Sequence, residues 1–195
     1  MKILVACEES QKVTIAFRNK GHEAYSCDII QCSGGKPEWH ILGDCREAIK
    51  SKIWDLIILH CPCTYTALCG NRWYYNSPLR KEGIEFCKEC YLLALSVCKN
   101  VVLEQPKTIM QKYIGKKTQK IQPYEYGHRE SKETWLWING LPILKPTKII
   151  KLTEGERYEN QTPTGQNNVP PGPERGKIRS KTYQGIAEAM AQQWG

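Results

Sequence analysis

Trp54-Asp55-Leu56-Ile57-Ile58-Leu59-His60-Cys61-Pro62-Cys63 decides the fold of this chain. Residues 54–59 form a near-continuous apolar run. That pattern suits a central parallel strand buried on both faces. Upstream, residues 3–7 read as another buried strand. Residues 13–19 read as a helix with Val13, Ala16 and Phe17 on one face, closed by Lys20-Gly21-His22 with Gly21 at the C-cap. A second strand, 23–27, ends at Asp28, and a short apolar stretch, 39–42, leads to Gly43-Asp44 and a turn of helix at 46–50. Downstream, residues 81–99 carry Ile84, Cys87, Tyr91, Leu92, Leu95 and Cys98 on an amphipathic helix. Strands are expected at 101–103, 135–138 and 149–152.

Strand and helix alternating in this rhythm predict an α/β fold with a central, mostly parallel sheet flanked by helices. The expected division is a core over 1–152, an extended loop over 153–180 rich in Pro, Gly, Asn, Gln, Arg and Lys, and a C-terminal helix over 181–195 packing back on the core. In such sheets ligands bind beyond the carboxyl ends of the strands. Glu8, Glu9, Asp28, Asp44, Cys63 and Glu104 all fall there.

The 195 residues suffice for one domain with a real core, and 41% hydrophobic with 25% charged residues is ordinary for a globular protein. No apolar run approaches the ~20 residues of a membrane span. The opening Met1 to Ala6 is too short for a signal peptide and meets acidic residues at once. Ten cysteines would suggest disulfides in a small secreted protein. Several instead sit inside apolar strand or helix patterns, so the reading is a reducing cytoplasm and free thiols. A net charge of +8 is compatible with a polyanionic partner such as nucleic acid.

Cys63 is the first chemical candidate. It follows a buried strand on a loop, and Pro62 fixes the backbone before it, as a nucleophilic thiol requires. The plain alternative is a bystander cysteine. Cys61, Cys63, Cys87 and Cys90 also offer four zinc ligands, although Cys87 and Cys90 lie inside a helix rather than on tight turns. Asp28 is placed to bind the ribose of a nucleotide cofactor and Asp44 to accept from an adenine amino group; a helix N-cap is the alternative for each. Glu104 would face the same crevice as Cys63, or cap a following helix. Tyr126 to Thr134 contains His128, Arg129 and Lys132, suited to phosphate contacts or to a solvated face.

In this order the pieces resemble DNA cytosine 5-methyltransferases, most of all the short, divergent members common in phages and prophages. Asp55 to Thr64 resembles the family's strand followed by Pro-Pro-Cys, and Val102-Leu103-Glu104-Gln105-Pro106 resembles its Glu-Asn-Val motif. Residues 126–138 resemble the segment in which Gln-Arg-Arg follows Tyr-Gly, and Ser180 to Ala187 resembles the closing motif near the cofactor. The resemblance implies a Rossmann-like methyltransferase fold with Cys63 as nucleophile and Glu104 as the base-contacting carboxylate. It further implies S-adenosyl-L-methionine as cofactor, held by Ala6, Cys7, Glu8, Glu9, Ser10, Asp28, Ile29, Asp44, Cys45 and Pro62. Arg72, Arg129 and Lys132 are the candidates for contact with DNA. Cys7-Glu8-Glu9-Ser10-Gln11 replaces the family's Phe-x-Gly-x-Gly loop, and Gln105-Pro106 replaces Asn-Val. The chain has no room for a large target-recognition domain, so a protein partner could supply specificity. The implied chemistry is addition of Cys63 to carbon 6 of an extrahelical or single-stranded cytosine and methylation at carbon 5. A non-catalytic binder of nucleotide, nucleic acid or protein, and a transferase acting on a pyrimidine nucleotide or RNA, are the alternatives.

Overall fold

The strands are β1 (Lys2–Ala6), β2 (Glu23–Asp28), β3 (His40–Leu42), β4 (Leu56–Leu59), β5 (Val101–Pro106), β6 (Gln119–Ile121) and β7 (Thr134–Asn139). In the computed structural model, which describes residues 1–172 and 174–195, they form one sheet in the order β3-β2-β1-β4-β5-β7-β6. β7 pairs antiparallel with both neighbours, and the other pairings are parallel. This is an α/β, Rossmann-like sheet, with the strand order reversing between β1 and β4.

The helices are α1 (Lys12–Asn19), α2 (Cys45–Lys50), α3 (Asn71–Tyr74), α4 (Pro78–Val97), α5 (Gln111–Ile114), α6 (Arg175–Ser180) and α7 (Gln184–Trp194). Strand side chains alternate between faces, and both faces of this sheet are covered. Leu4, Ala6, Ile57 and Leu59 pack with Ile49 of α2 and Ile84, Cys87 and Ala94 of α4. Ile3, Val5, Leu56 and Ile58 pack with Phe17 of α1 and Ile186, Met190 and Trp194 of α7. Burial on both sides explains why the central strands read as unbroken apolar runs. Gly185, in the first turn of α7, allows that helix to close on the backbone at Tyr126: a Cβ there would collide with the Tyr126 carbonyl oxygen.

The expected strand at 149–152 does not form. Its region runs beside the 3-10 turn Pro123–Glu125 instead, with one bridge between Tyr126 and Lys148 and a hydrogen bond from Ile150 N–H to the Tyr124 carbonyl. The edge strand β6 was not anticipated; its three residues alternate too briefly to stand out from the surrounding polar sequence. Among the described residues of 153–180, otherwise loops, turns and isolated bridges, lies the short helix α6. The long helix begins earlier and ends earlier than the periodicity of 81–99 suggested, with Pro78 in its first turn.

Register brings the functional loops to one edge. Ala6 stands opposite Cys27 and Leu59, so the segments following β1, β2 and β4 leave the sheet side by side. Glu8 closes the first of these turns. Its buried carboxylate accepts from Val13 N–H at 2.6 Å, Thr14 N–H at 3.2 Å and Thr14 Oγ1–H at 2.7 Å, satisfying the amides that open α1. Glu8→Ala therefore leaves buried donors without an acceptor, and a loss of about 1–3 kcal/mol is expected. Urea denaturation of Glu8→Ala and Glu8→Gln checks this. The glutamine, which keeps an acceptor, should lose less, and an unchanged midpoint in Glu8→Ala would show the cap to be dispensable.

Candidate active site

The carboxyl end of β4 runs directly into His60-Cys61-Pro62-Cys63, and β5 places Glu104 and Gln105 beside it. Gln105 holds the cysteine loop in place: its Nε2–H donates to the Cys61 carbonyl at 2.5 Å. Thr66 N–H and Ala67 N–H donate to the Cys63 carbonyl at 3.1 and 2.9 Å, folding the loop back on itself. Thr108 Oγ1–H and Ile109 N–H both donate to the Thr66 carbonyl, at 2.9 and 3.1 Å. The half-buried Cys63 thus sits on a loop braced from both sides.

His60 Nδ1–H donates to Glu104 Oε2 at 2.6 Å, with 10% of each side chain exposed. Burial works against both charges. For Glu104, the hydrogen bond and charge of His60, with Lys132 and the polar Thr182, outweigh burial and hold the carboxyl below its usual range. For His60, Glu104 and the nearby Glu8 outweigh burial and raise the imidazole above its usual value. The two directions agree: each partner favours the charged form of the other. Cys63 lies within the field of the same groups. Burial pushes its thiol up, Lys132 opposes that, and Glu104 and Cys69 add to it. Cys63, Glu104 and Lys132 therefore converge, and His60, Gln105 and Thr182 join them. Nothing in the local sequence marks His60 or Gln105, because their partners lie 44 positions away.

The first loop divides its two acids. Glu8 faces α1, as above, whereas both carboxylate oxygens of Glu9 are buried with no hydrogen-bond partner. The backbone at Cys7 and Gln11 is left-handed, with φ of 59° and 56°, a conformation glycine adopts at less cost. The turn absent in glycines is thus made by other residues. Gln11 fills the space behind it, donating to Ser26 Oγ at 3.2 Å and the Lys36 carbonyl at 2.8 Å. Ser10 is partly exposed beside it, and Ala6 is buried in β1. Asp28 accepts from Ile30 N–H at 3.2 Å, and burial pushes its carboxyl up, with Glu9 adding to the effect. Ile29 next to it leaves 78% of its surface exposed.

Asp44 is the N-cap of α2, accepting from Arg46 N–H at 2.8 Å, and its carboxylate also pairs with the Arg46 guanidinium at 2.6 Å. Cys45 is buried, with its sulfur 3.6 Å from those of Cys7 and Cys90. Cys61, Cys87 and Cys90 share that core, while Cys63 lies outside it, within the field of Lys132 and Glu104. The zinc tetrad considered from sequence does not assemble: among the described residues no three His, Cys, Asp or Glu side chains are grouped to hold a metal ion.

S-adenosylmethionine can be tested against these residues. An orphaned buried carboxylate at Glu9 fits an amino-acid ammonium. An exposed aliphatic side chain at Ile29, next to Asp28, fits the flat face of a purine and its ribose. Pro62, exposed across the crevice, adds a second apolar surface. Asp44 contributes no unengaged oxygen to this set.

A cavity of about 840 Å³ opens at the same edge, lined among others by Lys107, Lys132, Arg179, Lys181, Thr182 and Tyr183. Its far wall comes from the segment between β7 and α7. Lys132 Nζ donates to the Arg179 carbonyl at 2.9 Å. Arg129 is instead engaged with Glu156 at 2.6 Å. Arg72 lies on α3 at the surface over the Trp73 ring, 5.5 Å from its centroid. Trp73 and Tyr75 beside it are 76% and 69% exposed, an aromatic and basic patch whose signal in the sequence is Arg72-Trp73-Tyr74-Tyr75.

The direction of the Cys63 shift gives a test. A raised thiol is mostly protonated at neutral pH, so iodoacetamide should modify Cys63 more slowly than the exposed Cys69 at pH 7. The rate at Cys63 should climb with pH. Lys132→Met removes the opposing cation and should slow modification of Cys63 at pH 8 by about three- to tenfold. Peptide mapping by mass spectrometry reads both sites; equal rates in the variant and wild type would remove Lys132 from the site.

No protein-family model matches the chain, and no curated protein matches it. Among solved structures, it is similar to WbdD with a kinase inhibitor (14% identity, TM-score 0.43, covering 73% of this chain and 37% of that one). A second WbdD structure matches at 14% identity and TM-score 0.42 over 82% of this chain and 40% of that one. A third, described as a bifunctional kinase-methyltransferase, matches at 15% identity and TM-score 0.40 over 73% and 35%. The chain thus spans 35–40% of the length of these structures. Among the described residues no helix is long and apolar enough to cross a membrane.

Proposed function

We propose that this chain transfers a methyl group from S-adenosylmethionine to carbon 5 of cytosine in DNA through a covalent adduct on Cys63. The observation that carries this reading is the convergence of the Cys63 thiol, the Glu104 carboxylate and the Lys132 ammonium on one braced loop at the carboxyl edge of β4 and β5.

A cytosine ring becomes reactive at carbon 5 once a nucleophile adds at carbon 6. Cys63 is the nucleophile. Lys132 favours its thiolate against the burial that opposes it. Glu104 accepts from the exocyclic amino group and fixes the ring over the sulfur. Glu9, Asp28 and Ile29 hold the cofactor, which when bound supplies the methyl group. Lys107, Lys132, Arg179 and Lys181 take the phosphates next to a base that has left its stack. The net charge of +8 supports a polyanionic substrate.

A second reading is favoured by one observation, the engagement of Asp44 with Arg46: a chain that binds nucleotide or nucleic acid without turnover. One experiment separates the two. DNA is incubated with the protein and S-adenosylmethionine, digested to nucleosides, and analysed by mass spectrometry. Wild type is expected to yield 5-methylcytosine, and Cys63→Ser to lower the yield at least about a thousandfold. Undiminished methylation by Cys63→Ser would overturn the covalent route. DNA binding with no methylation in wild type would establish the second reading.

A further inference from the structure

The short helix α3 holds two large aromatic side chains in solvent. Tyr74 turns inward and meets the Tyr65 ring edge-on, with centroids 5.0 Å apart. Its neighbours Trp73 and Tyr75, each about 100° round the helix from it, stand on the two outer flanks, 76% and 69% exposed. Neither ring belongs to the cores on the two faces of the sheet. Each carries a guanidinium: Arg72 lies 5.5 Å from the Trp73 centroid, and Arg80, from the first turn of α4, lies 5.6 Å from that of Tyr75. Among the described residues neither arginine pairs with a carboxylate. Arg80 is only 8% exposed, yet its Nη1 is buried with no hydrogen-bond partner among them. A guanidinium can only donate, and a buried donor without an acceptor is costly. An anionic oxygen beside Tyr75 would satisfy it.

The patch adjoins the site. Leu68 and Cys69 line the cavity that also holds Lys107 and Lys132, and the turn Leu68–Gly70 runs straight into α3. Gly70 keeps that turn against the Cys63 loop: a Cβ there would stand 3.2 Å from the Thr64 carbonyl oxygen and 3.1 Å from the Tyr74 ring. A strand whose cytosine enters the cavity therefore passes its neighbouring bases over α3. In a duplex the faces of those bases are covered by stacking. Unpaired bases offer them to aromatic rings, with arginines beside the rings to meet the backbone.

Resting on the cytosine reading above, we infer that α3 and Arg80 form a stacking platform for unpaired bases, which makes single-stranded DNA the substrate class. Bases flanking the target lie on Trp73 and Tyr75, and Arg72 and Arg80 hold the phosphates beside them. Stacking reads no sequence, which suits a chain without room for a large target-recognition domain.

Fluorescence anisotropy tests this with labelled oligothymidylate, which contains no cytosine, and with its duplex with oligoadenylate. Wild type is expected to bind the single strand at least about tenfold more tightly than the duplex, and Trp73→Ala and Tyr75→Ala should each weaken single-strand binding about five- to a hundredfold. Trp73→Phe, which keeps a ring, should lose much less. Arg80→Gln should flatten the dependence of log Kd on log salt by about 0.7, the share of one phosphate contact on a single strand. Trp73 and Tyr75 are exposed, so their variants decide the matter even where Arg80→Gln does not fold. Equal affinity for single strand and duplex, or alanine variants that bind as wild type does, overturns the platform. So does a dimer that Trp73→Ala dissociates without loss of DNA binding. Oligothymidylate binding that depends on Trp73, in a protein that methylates no cytosine-containing strand, upholds the platform and overturns the cytosine reading instead.

Discussion

The contact between His60 and Glu104 is the constraint on which the site depends. A buried imidazole and a buried carboxyl group are tolerated only when each compensates the other at close range. At 2.6 Å, the pair fixes the end of β4 against β5. Three residues past His60 the chain places Cys63, and Lys132, reaching in ahead of β7, supplies the next positive charge. Glu104, Glu8 and Lys132 all act on His60, and Lys132 also lines the cavity. After burial, Lys132 and Glu104 act on the Cys63 thiol as well, and His60 orients Glu104. Gln105 adds the mechanical part, tying the Cys61 carbonyl to β5 so that the loop cannot drift from the acid.

Much of this frame was legible in the sequence, and the reason is burial. Strands covered on both faces must be apolar throughout, so 54–59 announced a central strand and the order of elements followed. Cys63 and Glu104 stood out as candidates because each stands just beyond, or at the end of, such a run. His60 and Gln105 were not, because the partner that gives each a task lies on another strand. The same limit applies to Glu8 and Glu9. Adjacent acids look alike in sequence, yet one caps α1 and the other is left buried without a partner in the crevice. Asp44 was a candidate for the cofactor and also for an N-cap, and its side chain takes the cap and an arginine. β6 and the absent strand at 149–152 depended on pairings that short, mixed segments do not encode.

The turn after β1 shows how a missing motif and a kept geometry can coexist. Glycines would allow close approach of the backbone to a ligand, and none is present between Cys7 and Gln11. Left-handed backbone occurs there all the same, at two residues with side chains, at a cost of roughly 1–2 kcal/mol each. The buried side chain of Gln11 helps to offset it through three hydrogen bonds. Strain held by surrounding structure is a mark of functional turns, and here it adjoins the orphaned carboxylate of Glu9.

Capture of the covalent species tests the central claim most directly. A DNA oligonucleotide carrying 5-fluorocytosine blocks the elimination step, because fluorine cannot leave as a proton does. Incubated with the wild-type chain and S-adenosylmethionine, it should give a species heavier by the oligonucleotide and one methyl group, stable to denaturation and mapped by peptide mass spectrometry to Cys63. Absence of any adduct, or its attachment to another of the ten cysteines, would contradict the assignment of Cys63 as the nucleophile.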